Sequence, residues 1–310
     1  TAAVATDLMK KHETVYVRSP MTCEAHPGIC RKCQGLDEKG RPHAIGINVG
    51  VRSAQALAEP LTQFALNAKH GVRVLKGASK DLDGLAGVRQ MMEVPQSFFN
   101  KATLADHAGT VTKVVQAPHG GHYVYVDTYE HYVAPNLEVV VHPNQVVEAG
   151  DVLSDGVPKP DELVAHKGLG VGRQYLVDAL HRLYKKQGVD VDKRHLEILA
   201  RADLNHVKVL EHSDAHPELL RGDVISYHTY KNAIGSDTKA MATAAASGHV
   251  LGKEILHFTV GTPLTPSIIT TLQKHGVKEV TVATSAPRVE FMMKPMTRNA
   301  PSAASPSEYA

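Results

Sequence analysis

Three cysteines fall close together in this 310-residue chain, as Cys23-Glu-Ala-His26-Pro-Gly-Ile-Cys30-Arg-Lys-Cys33, a C-x6-C-x2-C spacing. A C-x2-C turn lets two thiolates meet one tetrahedral ion, and Zn²⁺ is the usual occupant of such a set. Three sulfurs are one ligand short. The fourth is either His26, inside the same loop, or a cysteine supplied from upstream sequence or another chain. Three unrelated thiols are the plain alternative. With no secretory pattern in Thr1–Lys11, metal ligation is favoured over disulfides. A structural zinc knuckle is expected rather than a catalytic metal, which keeps an open position beside a general base.

The elements that must hold this cluster are read from periodicity. Val15–Met21 alternates and predicts a short strand leading into it. From Ile45 to His70 the chain is rich in Ala, Leu and Gln. Val51, Ala54, Leu57 and Ala58 recur there at helical spacing, and Pro60 either starts a new helix or kinks the old one. Gly71 to Gly84 has glycine and charge without periodicity, a mobile-loop candidate. Leu85–Glu93 predicts helix again, stopped by Pro95. Ala108–Asp155 is β-rich, with alternation at Tyr123–Asp127 and Glu138–Val141. Two amphipathic helices follow, at about Val171–Lys186 and Lys193–Arg201, the second with Asp192 as N-cap. Val207–Ser226 looks β. Gly248–Val289 reads as short strands around one helix at Pro266–His275, and the tail from Asn299 is Ser/Ala/Pro-rich and expected to be disordered.

The expected fold class is therefore α+β. Residues 1–45 would hold the strand and cysteine cluster, 46–100 a helical hairpin with its loop, and 101–160 a β-rich sandwich- or barrel-like module. Residues 161–240 would carry the later helices and strands, and 241–310 a divergent α/β extension. Net charge is +2 with histidines neutral, too mild to argue nucleic-acid binding alone. Any such grip would be shared with partners. No apolar run approaches the roughly 18–20 residues that span a bilayer. The sequence does not begin with Met, so either the Met was removed or the chain starts inside a longer product.

Longer motifs point further. The cysteine trio follows Val17-Arg18-Ser19-Pro20 and precedes Gly46-Ile47-Asn48-Val49-Gly50-Val51-Arg52-Ser53-Ala54-Gln55-Ala56-Leu57-Ala58-Glu59-Pro60-Leu61-Thr62-Gln63. This arrangement closely resembles the β′ subunit of cellular multisubunit RNA polymerases, in the stretch "GEAVGVIAAQSIGEPGTQ". Gly84-Leu85-Ala86-Gly87-Val88-Arg89-Gln90-Met91-Met92-Glu93 is similar to the helix that closes that family's trigger loop. Glu148–Gly156 is similar to a β-rich segment behind it. Asp161–Tyr184, Gln187-Gly188-Val189 and Asp192–Glu197 resemble the β′ C-terminal helices. The resemblance covers roughly residues 15–235.

The resemblance implies a fragment of a larger polymerase assembly whose trigger loop folds over the incoming nucleotide. His70 matches the position that approaches the β-phosphate as a donor or positional acid. Leu66 matches the apolar residue packed on the incoming base. Gln63 and Asn67 match positions that contact ribose or phosphates. The Leu66-Asn67 pair is closer to the archaeal and eukaryotic form than to the bacterial Met-Arg. Lys69 replaces a usual aromatic residue, and Leu61 a usual small one. Judged alone, His70 would be an ordinary helix-end histidine.

The family's catalytic Asp motif, resembling NADFDGD, has no counterpart here, and neither has the bridge helix. The Mg²⁺ site is thus expected on another chain, with β-like and remaining β′-like subunits, template DNA, nascent RNA and NTPs as partners and no membrane. A split, bacteriophage-encoded polymerase acting in the bacterial host cytoplasm, with virion packaging as a variant, fits best. The competing readings are a polymerase-derived zinc-binding scaffold and a virion structural protein, neither catalytic.

Overall fold

The computed structural model describes residues 2–11, 15–26, 28–37, 39–70, 84–211 and 213–293, with 2, 3, 5 and 64–70 described by backbone alone. Helices and antiparallel sheets alternate along the chain, so the α+β expectation holds. Helix α1 (Ala2–Lys11) comes first. The predicted strand over Val15–Met21 does not form. Its residues run without a ladder partner, and alternation alone supplies no neighbouring strand. The one-turn helix α2 (Arg31–Gln34) follows, and then α3 (Val49–His70).

Helix α3 continues through Pro60. Proline has no N–H, so the carbonyl of Ala56 lacks its usual helical donor. One residue on, the carbonyl of Leu57 accepts from the hydroxyl of Tyr184 at 3.0 Å. α4 (Gly84–Glu93) buries Val88 and Met91 and ends at Val94. Gln90 fixes the chain beyond it by pairing both amide atoms with the backbone of Phe99, at 3.0 and 3.1 Å.

The β-rich module is a four-stranded antiparallel half-barrel in the order β3-β2-β1-β4. Its strands are β1 (Gly109–Gln116), β2 (His122–Val126), β3 (Tyr129–Val133) and β4 (Val146–Val147). Alternate valines point inward: Val111, Val124, Val126, Val133 and Val147 form a core of their own with Leu137, Val141 and Leu153. Glu138–Val141 makes only a single bridge, Val139 to Ser154, instead of a strand.

Helix α5 (Pro160–Lys186) starts with proline in its first turn and Asp161 and Glu162 against the positive end of its dipole. It breaks at Gly168 (φ 84°), a left-handed conformation that favours glycine. Two residues on, Gly170 lies so close to the carbonyl of His257 that a Cβ would overlap it. α6 (Lys193–Asp203) is capped as expected, Asp192 Oδ1 accepting from Arg194 N at 2.9 Å.

A second sheet, β10-β5-β6, joins β5 (His206–Val209) to β6 (Val224–Ser226). α7 (Tyr227–Ile234) leads to β7 (Thr238–Ala242), β8 (Val250–Leu251), α8 (Pro266–Lys274), β9 (Glu279–Ala283) and β10 (Val289–Met292). β7, β9 and β8 make a third sheet that packs with α8 around Leu251, Phe258, Leu272 and Val282. β10 returns to pair with β5, so Phe291 enters the main core with Leu57, Met91, Leu176, Leu180, Leu196 and Tyr230. Around that core α3 packs against α4 and α6, and α5 against α4, α6 and β10.

Candidate metal centre and the adjoining long helix

The cysteine loop is shaped by its own backbone. Cys23 N donates to Pro20 O at 3.3 Å, and left-handed Gly28 and Gly35 turn the chain. The Sγ atoms of Cys23, Cys30 and Cys33 lie within 4.8 Å of one another. Cys30 N donates to Cys23 Sγ at 3.2 Å, and Cys33 N to Cys30 Sγ at 3.4 Å. Arg18 Nη1 stands 3.9 Å from Cys33 Sγ and 4.0 Å from Cys30 Sγ. Donors from the Cys33 backbone hold the Cys30 thiol down at about 7. Burial, with the neighbouring thiols, pushes Cys33 up to about 12. Three sulfurs this close cannot all ionise without a cation among them, and this donor set fits Zn²⁺.

His26 does not join them. Its ring stacks on His228, with centroids 3.6 Å apart and planes 2° from parallel, and among the described residues the ligand group holds the three cysteines alone. Arg201 Nη2 holds the neighbouring carbonyl of Ala25 at 3.1 Å, which keeps this turn against α6 and α7.

Helix α6 is the clamp that sequence reading missed. Arg194 Nη1 donates to Gln34 O and Leu36 O at 2.8 and 3.0 Å, gripping the exit of the loop. Glu197 Oε2 accepts from Ser19 Oγ at 2.6 Å, and Arg201 Nη1 donates to Pro20 O at 2.9 Å, gripping its entry. Burial pushes the Glu197 carboxyl up, against the Ser19 hydrogen bond. Positions 194, 197 and 201 share one helical face, so the signal was a polar stripe at i, i+3, i+7. From the same helix, His195 Nδ1 meets the buried Ser53 Oγ of α3 at 3.0 Å. Burial lowers the pKa of that imidazole.

Gln63 is exposed on α3. Gln63, Leu66, Asn67 and His70 occupy i, i+3, i+4 and i+7 of this helix, hence one face; the side chains of the last three lie outside the described residues, as does the loop at 71–83. Asn48 Oδ1 caps α3 by accepting from Val51 N at 3.0 Å. The far end of the loop returns on α4, which packs against α3 and α5.

The cysteine loop is thus clamped to the helix that also supports α3, and the half-barrel and the α5–α6 pair complete this part of the fold. Residues 110–233 match the family model described as RNA polymerase Rpb1, domain 5. The chain is 32% identical over 228 residues to DNA-directed RNA polymerase subunit β′ of Moorella thermoacetica, covering 71% of this chain and 19% of that subunit. It is 28% identical over 227 residues to the same subunit of Staphylococcus aureus strain Mu50, covering 71% and 18%. The chain thus spans about a fifth of the length of the curated relatives it matches. Over the matched residues it is a C-terminal β′-like segment.

Proposed function

We propose that this chain serves a multisubunit DNA-directed RNA polymerase by supplying the trigger loop that closes over the incoming NTP. The observation that carries the reading is the α3 face bearing Gln63, Leu66, Asn67 and His70, on a helix anchored by Ser53, Leu57 and Tyr184 to the rest of the fold. In nucleotide addition the RNA 3′ oxygen bonds to the α-phosphorus and pyrophosphate leaves. Rate then depends on positioning and on neutralising the leaving group. His70 donates a proton or a hydrogen bond toward the β-phosphate, Leu66 packs on the base, and Gln63 and Asn67 hold ribose and phosphate. Closure excludes water from the reacting atoms.

These 310 residues carry no Asp-x-Asp-x-Asp run, so the Mg²⁺ ions of that reaction would be held by residues outside them. The partners are accordingly β-like and further β′-like subunits, with template DNA and nascent RNA. Bound Zn²⁺ would cross-link the cysteine loop, with Cys23, Cys30 and Cys33, the three cysteines of this sequence, as ligands and a cysteine from upstream sequence or another chain as the fourth. No described helix is long and apolar enough to cross a membrane. Transcript extension by the assembled polymerase tests the reading. His70→Ala and Leu66→Ala are each expected to slow elongation by roughly tenfold or more; unchanged elongation in both overturns it.

A further inference from the structure

Against the cysteine loop, with Cys23 in its wall, lies a cavity of about 140 Å³ between residues 21–29, the start of α3, α6 and α7. Arg173 forms part of its wall and is 4% exposed. A guanidinium has five N–H donors, and Arg173 commits Nε and one Nη2 hydrogen to a single acceptor, Leu204 O, at 3.0 and 2.7 Å. Its carbon sits 5.5 Å over the ring of Tyr227. Among the described residues no carboxylate lies within ion-pair distance of it. A buried guanidinium with no carboxylate in ion-pair contact is costly, because burial removes water from the charge and Glu254, beyond ion-pair distance, offsets only part of that loss.

Its surroundings add positive charge. Arg201 lines the same cavity and gives the loop carbonyls one hydrogen from each Nη, leaving further donors. The first turn of α3, Val49 and Gly50, forms another wall, with the positive end of a 22-residue helix dipole. Two carboxylates also line the space. Glu254 is engaged at both oxygens, by Tyr227 OH at 2.8 Å and by the Lys231 ammonium. Glu24 is exposed. Counting Arg173, Arg201 and Lys231 against Glu24 and Glu254 leaves one positive charge with the imidazoles neutral.

We propose that this cavity binds one phosphate-type oxyanion between Arg173 and Arg201. The planar forks of two guanidiniums suit the oxygens of a tetrahedral anion better than a point charge would. The space has room for one phosphate-sized anion. The stacked His26 and His228 rings line the same cavity, with His228 Nε2 3.0 Å from Asn232 Nδ2.

The test uses the zinc-loaded full chain, with thermal unfolding and ³¹P line broadening measured in inorganic phosphate against chloride at matched ionic strength. Saturable stabilisation by phosphate is expected. Arg201→Gln should weaken it about tenfold or more. Since Arg201 also holds the loop, Val49→Glu serves as a second variant. A carboxylate in the first turn suits the helix dipole while repelling an anion in the cavity. Adenosine monophosphate in a parallel arm distinguishes a free phosphate from one carried by a nucleotide. Saturable binding of either ligand, weakened in both variants, supports the site. No stabilisation beyond chloride, or stabilisation unaltered in both variants, overturns it.

Discussion

At the residue scale, the buried carboxyl of Asp203 makes the sharpest statement about stability. It is 5% exposed, its Oδ2 has no hydrogen-bond partner, and burial pushes it up to about 7. The unfolded value is about 3.9. Between the two, the folded chain binds the proton more tightly than the unfolded one, so stability falls as pH rises from about 4 to about 7. The loss at alkaline pH is on the order of 2–4 kcal/mol. Asp203→Asn should flatten that dependence and be the more stable protein at pH 8, as read from urea midpoints at pH 5 and pH 8. Equal slopes in both proteins would remove the buried-charge account. The cysteines give a second prediction. Cys30→Ser should lose stoichiometric zinc on metal analysis, while His26→Ala should keep it, because His26 lies on His228 rather than among the sulfurs. The spacing of the three cysteines made the cluster legible in sequence, but a histidine within the loop looks like a ligand until its ring is seen to point elsewhere.

At the scale of elements, α3 depends on α5 at the point where proline weakens it. Tyr184 is 1% exposed and its hydroxyl donates to the backbone of α3 one residue past the carbonyl that Pro60 leaves without a donor. Tyr184→Phe keeps the ring and removes that bond. The expected cost is about 1–2 kcal/mol in urea unfolding, with faster amide exchange centred on residues 56–61. Uniform exchange along α3 would mean that the bond does not brace the helix locally. Gly170→Ala should be more severe, beyond about 3 kcal/mol, because the new methyl meets a backbone carbonyl that cannot turn aside as a side chain can. The amphipathic helices are readable from sequence because periodicity and caps such as Asp192 are local signals. The Tyr184 brace is not, since it joins residues far apart in the chain. Val15–Met21 fails for the same reason: alternation defines a face, while a strand needs a partner.

At the scale of the whole molecule, residues beyond 240 have no resemblance to carry their reading, yet they complete the fold that the resembling part begins. β10 pairs with β5 in antiparallel register, Phe291 opposite Val207. Phe291 is 4% exposed, and its ring meets Tyr230 edge-on, centroids 6.3 Å apart and planes at 89°. Gly261, left-handed at φ 87°, lies against both rings, so the loop after β8 is seated by the same pair. Such contacts join α5, α7, β5 and the third sheet's connecting loop in one packing unit. Phe291→Ala should therefore cost about 3–5 kcal/mol, the range for a buried phenylalanine replaced by alanine. Its effect should reach beyond its own strand: exchange protection should fall in β5 and α7 together, while the half-barrel, whose valine core is separate, keeps its own. Protection lost equally in the half-barrel would mean that the two cores unfold as one. Protection lost in β10 alone would mean that the extension is an accessory strand, and that the α3-bearing core stands without it.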